Sequence, residues 1–474
     1  MSSIRGRFLV GGIALILLVS AGPADAGGLF LSGVGSRARG MGGAFTALAD
    51  DWSAVYYNPA GAAFLQQSEL AFGAAALTPR ISYTPDLTLD GWRANNKPDG
   101  EYYNIDQTYV VPQLGGYGRL SSGRMSLGIG FYAQQNNNMV WDLFFPYYRS
   151  KEQFPADDVT SDIKIWTAQP TLGWQVIPDQ FSLGAGLTLN RTRIRQQRVL
   201  WVPDPGREAG LPPYSVGVAF VDQTIKGTGW GVGFNLGFLT KLDKWSFGAT
   251  FQNKIVYDIS GTDTTRFWSQ IVDGRGEQTD PLIEQDLLSG KVHTSIQDHD
   301  FEMATPAVLT VGTAFFPSPN LRFAFDLGYT WYSEVEGIIA TTNPTTTFKF
   351  GDPQGVNATT TVGNSEYYDW KDQWRVAVGS EWDPKPTLHL RFGASYEPAV
   401  IETTSLTPVY WDVGGKISPS LGIAVDFGGH YTVSYAFGAV FYESRSADTP
   451  SGINLPGTYG GLRYDNYLAF IVRI

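Results

Sequence analysis

Four histidines come first, because a hydrolase needs a nucleophile paired with a base. His293 and His299 fall in a long acidic connection, His389 on the polar face of an alternating segment, and His430 in a tight turn. No Gly-x-Ser-x-Gly elbow accompanies them, and no His-Glu-x-x-His metal spacing occurs. The chain has no Cys, which removes thiol nucleophiles, thiolate metal sites and disulfides together. Catalysis, a metal and a cofactor are therefore not expected. A net charge of −11 argues against a nucleic-acid partner, where basic patches would be needed.

Three other clusters carry binding chemistry. The first is ADDWSAVYYNPAGAA (49–63), with Asp50 and Asp51 followed by an Asn58-Pro59-Ala60-Gly61 turn. Pro59 fixes the turn, the Asn58 side chain can cap nearby backbone, and Ala60 and Gly61 permit close approach to a wall. The Asp pair either anchors this stretch to inward-facing Arg or Lys or merely forms a turn or cap. The second is NNNMVWDLFFPYYRS (136–150), which crowds Trp141, Leu143, Phe144, Phe145 and Tyr148 into one connection. Exposed apolar clusters of this kind mark binding sites, the alternative being packing over a barrel mouth. The third is NRTRIRQQR (190–198), where Arg191, Arg193 and Arg195 continue a lipid-facing register just beyond an apolar band. Anionic lipopolysaccharide head groups suit them, a solvated charge run being the alternative.

The elements that position these residues are strands. Residues 1–26 have a basic start, a short apolar run and a small-residue cleavage site, and so form a secretory signal peptide. Beyond it, segments such as LRFAFDLGYTW (321–331) and YTVSYAFGAVF (431–441) alternate large apolar with small or polar residues. Charged residues make up only 17%, while Gly counts 55 and aromatics reach 14%, so the apolar face is expected to meet lipid and the polar face a lumen. Short turns near 121–124, 177–180, 242–244, 317–320, 383–386 and 428–430 alternate with long segments near 84–108, 135–162, 196–226, 260–304, 335–371, 397–418 and 444–462. That rhythm predicts an all-β, transmembrane antiparallel barrel of about 14 strands over 68–474. Residues 27–67 precede the first strand, and their aromatic content suits a plug in the lumen better than a linker in water.

The stretch GSRARGMGGAFTALADDWSAVYYNPAGAAFL (35–65) resembles the N-terminal hatch of the FadL/TodX family of outer-membrane transporters for hydrophobic compounds. Two later stretches, 305–334 and 370–400, are similar to successive hairpins of that family. The resemblance implies a monomer in the cell outer membrane that takes up solutes such as long-chain fatty acids or aromatic hydrocarbons. Outer loops would capture the solute, an apolar barrel pocket would pass it on, and a plug carrying Asp50, Asp51, Asn58, Pro59 and Ala60 would gate sideways release. By strand order, the opening falls at 124–135, where Gly128 and Gly130 are expected to weaken pairing. A scaffold docking other envelope proteins and a general diffusion porin are the competing functions.

Overall fold

The computed structural model describes residues 33–86, 100–105, 107–120, 123–143, 157–203, 218–268, 292–351, 357–410, 412–447 and 455–474; residues 1–26, expected from sequence to be a signal peptide, lie outside them. The alternating segments form fourteen barrel strands. They are β1 (Glu69–Pro85), β2 (Tyr109–Arg119), β3 (Met125–Trp141), β4 (Val159–Ile177), β5 (Phe181–Pro203) and β6 (Val218–Leu242). Next come β7 (Trp245–Gln252, resuming at Ile255–Trp268), β8 (Val292–Thr305, resuming at Val308–Ser318), β9 (Leu321–Thr330) and β10 (Gln373–Lys385). The last four are β11 (Leu388–Glu397), β12 (Lys416–Phe427), β13 (Tyr431–Ala447) and β14 (Gly457–Arg473). Neighbours pair antiparallel, and β14 returns to β1 along its whole length, from Glu69↔Arg473 to Pro85↔Gly457. The barrel is closed, as hydrocarbon requires, because lipid offers no partner to an open strand edge.

Side chains obey the period of two. On β3, Leu127, Ile129 and Phe131 are exposed while Ser126 is buried; on β6, Val232 and Phe234 are exposed while Asn235 is buried. Two aromatic rims bound the apolar band. Trp174, Trp245, Trp382 and Tyr431 lie toward the short-turn end, and Trp230, Tyr329, Trp374 and Tyr464 toward the other. Left-handed backbone at Asp179 (φ 58), Asp243 (φ 46), Gly428 (φ 58) and Gly429 (φ 76) tightens the short turns.

The long connections differ from expectation. Much of 135–162, 196–226 and 260–304 is strand, and β5 and β6 run to 23 and 25 residues. About 10 residues suffice for a tilted crossing, so β5 to β8 rise as a wall beyond the outer aromatic rim. Alternation persists there in polar residues: Arg193 and Arg195 are exposed while Ile194 and Gln196 are buried. Polar residues replace the apolar face, so a search for apolar alternation ends too early. Inside the outer half, Trp141, Ile163, Ile194, Ile225 and Ile259 pack with Leu406, Val409 and Tyr410 of the segment 398–415.

This height is directly testable, since the chain offers a cysteine-free background. Ile296→Cys, on the raised part of β8, is expected to react with a membrane-impermeant maleimide on whole cells. Phe234→Cys, in the apolar band, is expected to stay unlabelled, and equal labelling of the two would contradict the raised wall.

Candidate functional site

Residues 33–67 lie inside the inner half of the barrel as two short helices, α1 (Ser36–Gly40) and α2 (Ala54–Tyr57), and a 3-10 turn (Pro59–Phe64). They bond to opposite walls. Gln113 of β2 accepts from Gly35 N at 2.9 Å, and Gln169 and Gln175 of β4 donate to Val55 O at 2.6 Å and Ala63 O at 2.5 Å. Ser182 of β5 donates to Ala60 O at 2.8 Å, while Asp326 of β9 accepts from Phe45 N and Thr46 N at 2.9 Å each. Wall glycines make room: a side chain at Gly184 would run into the Ala60 backbone, and one at Gly393 into that of Met41.

Asn58 is the hinge of this packing. It is fully buried, its Nδ2 donates to Thr46 O and to Phe238 O of β6 at 2.9 Å each, and its Oδ1 accepts from Ala60 N at 3.1 Å. Pro59 opens the 3-10 turn, where its missing N–H costs nothing.

Of the two readings of the Asp pair, a wall anchor or a local turn or cap, the contacts favour the local one. Asp50 pairs not with the wall but with Arg37 of the same segment, at 2.8 Å, and Asp51 Oδ1 accepts from Ser53 N and Oγ at 2.8 and 2.6 Å. Burial works to raise the Asp50 pKa, but Arg37, Arg322 and Lys241 together outweigh it and hold the carboxyl below the usual range. At Asp51 burial dominates and pushes the carboxyl up. The reach to the wall belongs to two arginines: Arg37 Nε meets Glu381 of β10 at 2.8 Å, and Arg39 meets Asp465 of β14 at 3.1 Å. Glu381 is also held by Arg322 at 2.7 Å and Arg391 at 2.5 Å. The signal for these residues was the SRARG motif opposite carboxylates at inward positions of strands.

Above the plug lies a chamber of about 150 Å³, and it is polar where an apolar pocket was expected. Tyr56 and Tyr57 of the plug face Asn235, Thr310, Gln373 and Ser395, together with charged residues that are already paired. Arg375 bonds Glu397 at 3.2 Å, and Lys416 bonds Asp412 at 2.6 Å and Glu397 at 3.2 Å. The Asp412 carboxyl, in the outer segment, is pushed up to about 7 by burial in spite of Lys416.

Trp141 and Leu143 are not exposed in a capture groove. Both are buried in the apolar cluster: Trp141 Nε1 donates to Pro408 O at 2.8 Å, and Leu143 N donates to Asp158 at 3.1 Å. The alternation of β3 carries Trp141 inward, where the segment 398–415 covers it. Phe144, Phe145 and Tyr148 lie outside the described residues.

The wall breaks between β2 and β3. Their ladder runs only from Arg119↔Ser126 to Leu114↔Phe131, although β2 stays paired with β1 out to Tyr109 and β3 with β4 out to Trp141. Residues 132–139 of β3 are buried on both faces, with a bulge at Ala133–Gln135 facing β4. The gap is capped where Ile105 N donates to Val140 O at 2.9 Å. Gly128 and Gly130 do not cause the break: each is paired on both sides, to Tyr117 and Thr171 and to Gly115 and Gln169. Their lack of a side chain instead admits the Tyr117 ring and Val55 of the plug. Arg191, Arg193 and Arg195 sit on the outer face of β5, away from the lumen.

A closed barrel of this kind, with polar lumen and lipid-facing belt, is an outer-membrane channel. The chain belongs to the outer membrane transport protein family (OMPP1/FadL/TodX), whose sequence profile matches residues 17–457. Members of that family are transport channels of the outer membrane, not enzymes. A Neisseria meningitidis serogroup B protein named provisionally for the outer membrane is 20% identical over 87% of this chain and 85% of its own length. A Pseudomonas aeruginosa FadL homologue of solved structure is 16% identical, with a TM-score of 0.70 over 94% of this chain and 99% of its own. The Pseudomonas putida toluene transporter TodX is 17% identical, with a TM-score of 0.69 over the same shares. These structures share the fold.

Removing Arg37 tests the anchor. Arg37→Met leaves Asp50 and Glu381 short of a buried partner, a loss of roughly 3–5 kcal/mol to the plug. The barrel is expected to keep its heat-modifiable migration while amides of 36–64 exchange much faster; unchanged exchange would place the anchor elsewhere.

Proposed function

We propose that this protein takes up small neutral hydrophobic molecules from outside the cell and releases them sideways through the gap between β2 and β3. The observation that carries this is the wall's loss of pairing beside a lumen that its own residues 33–67 occupy. The fold family supports the direction, and the comparison includes TodX, titled a toluene transporter, and CymD, titled a monoaromatic hydrocarbon channel.

Size and charge narrow the solute. A cavity near 150 Å³ is large enough for one benzene-sized ring, and the chamber has about that volume. A long acyl chain exceeds it in this state. Arg375 and Lys416 are neutralised by Glu397 and Asp412, so a carboxylate would have to break a buried pair to find a cation. A neutral ring-sized solute meets neither obstacle.

The segment 398–415 links capture to release. It closes the mouth and also holds the unpaired part of β3, through Asn137 Nδ2 to Val409 O at 2.9 Å and Trp141 Nε1 to Pro408 O. A solute that displaces this segment frees β3 and widens the gap. Phe144, Phe145 and Tyr148 are the capture residues of this scheme, whereas Trp141 and Leu143 belong to the packed apolar cluster. The segment 27–67 acts as the hatch that keeps polar solutes out, and one barrel suffices for the whole path, so the working unit is a monomer. The polar lining of the chamber favours a second reading, a barrel that docks other envelope proteins and transports nothing.

Uptake separates the two. Cells carrying the wild-type protein are expected to accumulate labelled toluene faster than labelled palmitate; accumulation of neither would leave the docking role. Asn58→Ala removes three hydrogen bonds, each worth about 1 kcal/mol, and is expected to alter toluene uptake at unchanged surface level. Deleting residues 27–60 is expected to admit a polar antibiotic as well, and a deletion that leaks nothing would refute the gate. Trp141→Phe, which keeps the ring and loses the bond to Pro408, is expected to change release while a folded barrel persists.

A further inference from the structure

We propose that the outer face of β4 to β6, just beyond the aromatic rim, is a binding site for the phosphorylated head of the outer-leaflet glycolipid, lipopolysaccharide. The site lies on the lipid side of the wall and stands or falls independently of the transported solute.

Strand register assembles it. Arg191, Arg193 and Arg195 point outward from β5, alternating with buried Thr192, Ile194 and Gln196. Lys164 of β4 lies directly opposite Arg193, and Lys226 of β6 directly opposite Arg195. Neighbouring strands sit about 4.8 Å apart and alternate residues about 6.6 Å apart, so five cations share a patch roughly two strand spacings wide. Like charges directly opposite one another destabilise a sheet, and this face holds two such pairs side by side. The acidic residues of the patch offset them only in part: Asp162 pairs with Lys164 at 2.8 Å and lies directly opposite Arg195, and Asp258 sits opposite Trp230. Among the described residues, Arg191, Arg193, Arg195 and Lys226 make no ion pair with a carboxylate. Five cations outnumber these carboxylates, so the face keeps a net positive charge that an external anion would relieve.

Position identifies the anion. The Arg191 guanidinium lies 4.9 Å from the centre of the Trp230 ring, which is 62% exposed in the outer rim. Arg193 and Arg195 stand one and two pleats further out, at the level of head groups. Directly inward, Leu187, Leu189, Val232 and Phe234 offer exposed apolar surface. A ligand matching both halves has acyl chains below and more than one phosphate above. Free phosphate or a soluble polyanion matches only the upper half. Bound in this way, the five cations do for the phosphates what divalent ions do between neighbouring glycolipids.

The test uses the full-length protein reconstituted into phospholipid vesicles containing lipid A or its dephosphorylated form, and reads lipid retained per barrel by mass spectrometry after detergent extraction. The wild type is expected to retain lipid A at least roughly tenfold better than the dephosphorylated form. An Arg193→Gln, Arg195→Gln, Lys226→Gln variant is expected to lose that preference while keeping heat-modifiable migration and toluene uptake. A double Arg193→Lys, Arg195→Lys variant, which preserves charge and does not depend on assembly of the Gln variant, is expected to retain lipid A and to release it as salt rises. Equal retention of both lipids by the wild type, full retention by the Gln variant, or salt-independent retention would each overturn the site.

Discussion

Hydrocarbon gives a backbone N–H nothing to bond, and this constraint shapes the whole molecule. It explains why β14 returns to β1 along its full length, and why the break of the ladder between β2 and β3 is chemically unusual. Where β3 leaves β2, the side chains are Gln134, Gln135, Asn136, Asn137 and Asn138, all buried. Some of these amides bond one another and their surroundings: Asn137 donates to Ser161 Oγ and Val409 O, and Asn138 donates to Asn136 Oδ1. A polar run that looks like a loop in sequence is the lining of a break in the wall.

Closure creates a second demand. Outward apolar residues leave the polar side chains facing inward, and without water these need partners. The segment 33–67 provides them as backbone groups for the amides of Gln113, Gln169 and Gln175 and as arginines for Glu381 and Asp465. Plug and wall are thus halves of one hydrogen-bonded interior. Their mutual fit depends on small residues, which is why Gly184, Gly237 and Gly393 meet the plug where larger side chains would collide.

Much of the architecture was legible because period-two alternation and turn chemistry are local signals. The strand number, the closure and the turns at Asp179, Asp243 and Gly428 all follow from them. Asn58 was legible too, because a buried Asn before Pro has few uses besides capping. What stayed hidden depends on distant partners. The register of β5 was legible through Arg195, but its continuation to Pro203 shows only once β6 lies beside it. Burial of Trp141 depends on a segment 267 residues away in the chain. The wall anchor was sought at Asp50 and Asp51, but a carboxylate chooses the nearest arginine, and Arg37 is folded next to Asp50 within the plug itself.

The seat of the plug also imposes an order of assembly. Residues 33–67 are made and exported before any strand, yet their partners are spread from Gln113 on β2 to Asp465 on β14. Such contacts span up to 434 positions in sequence, and long loops of this kind close late in folding. Until the last strand arrives, Arg39 and a series of backbone amides lack the wall partners they meet in the finished barrel. The first residues to cross the inner membrane are among the last to find their place.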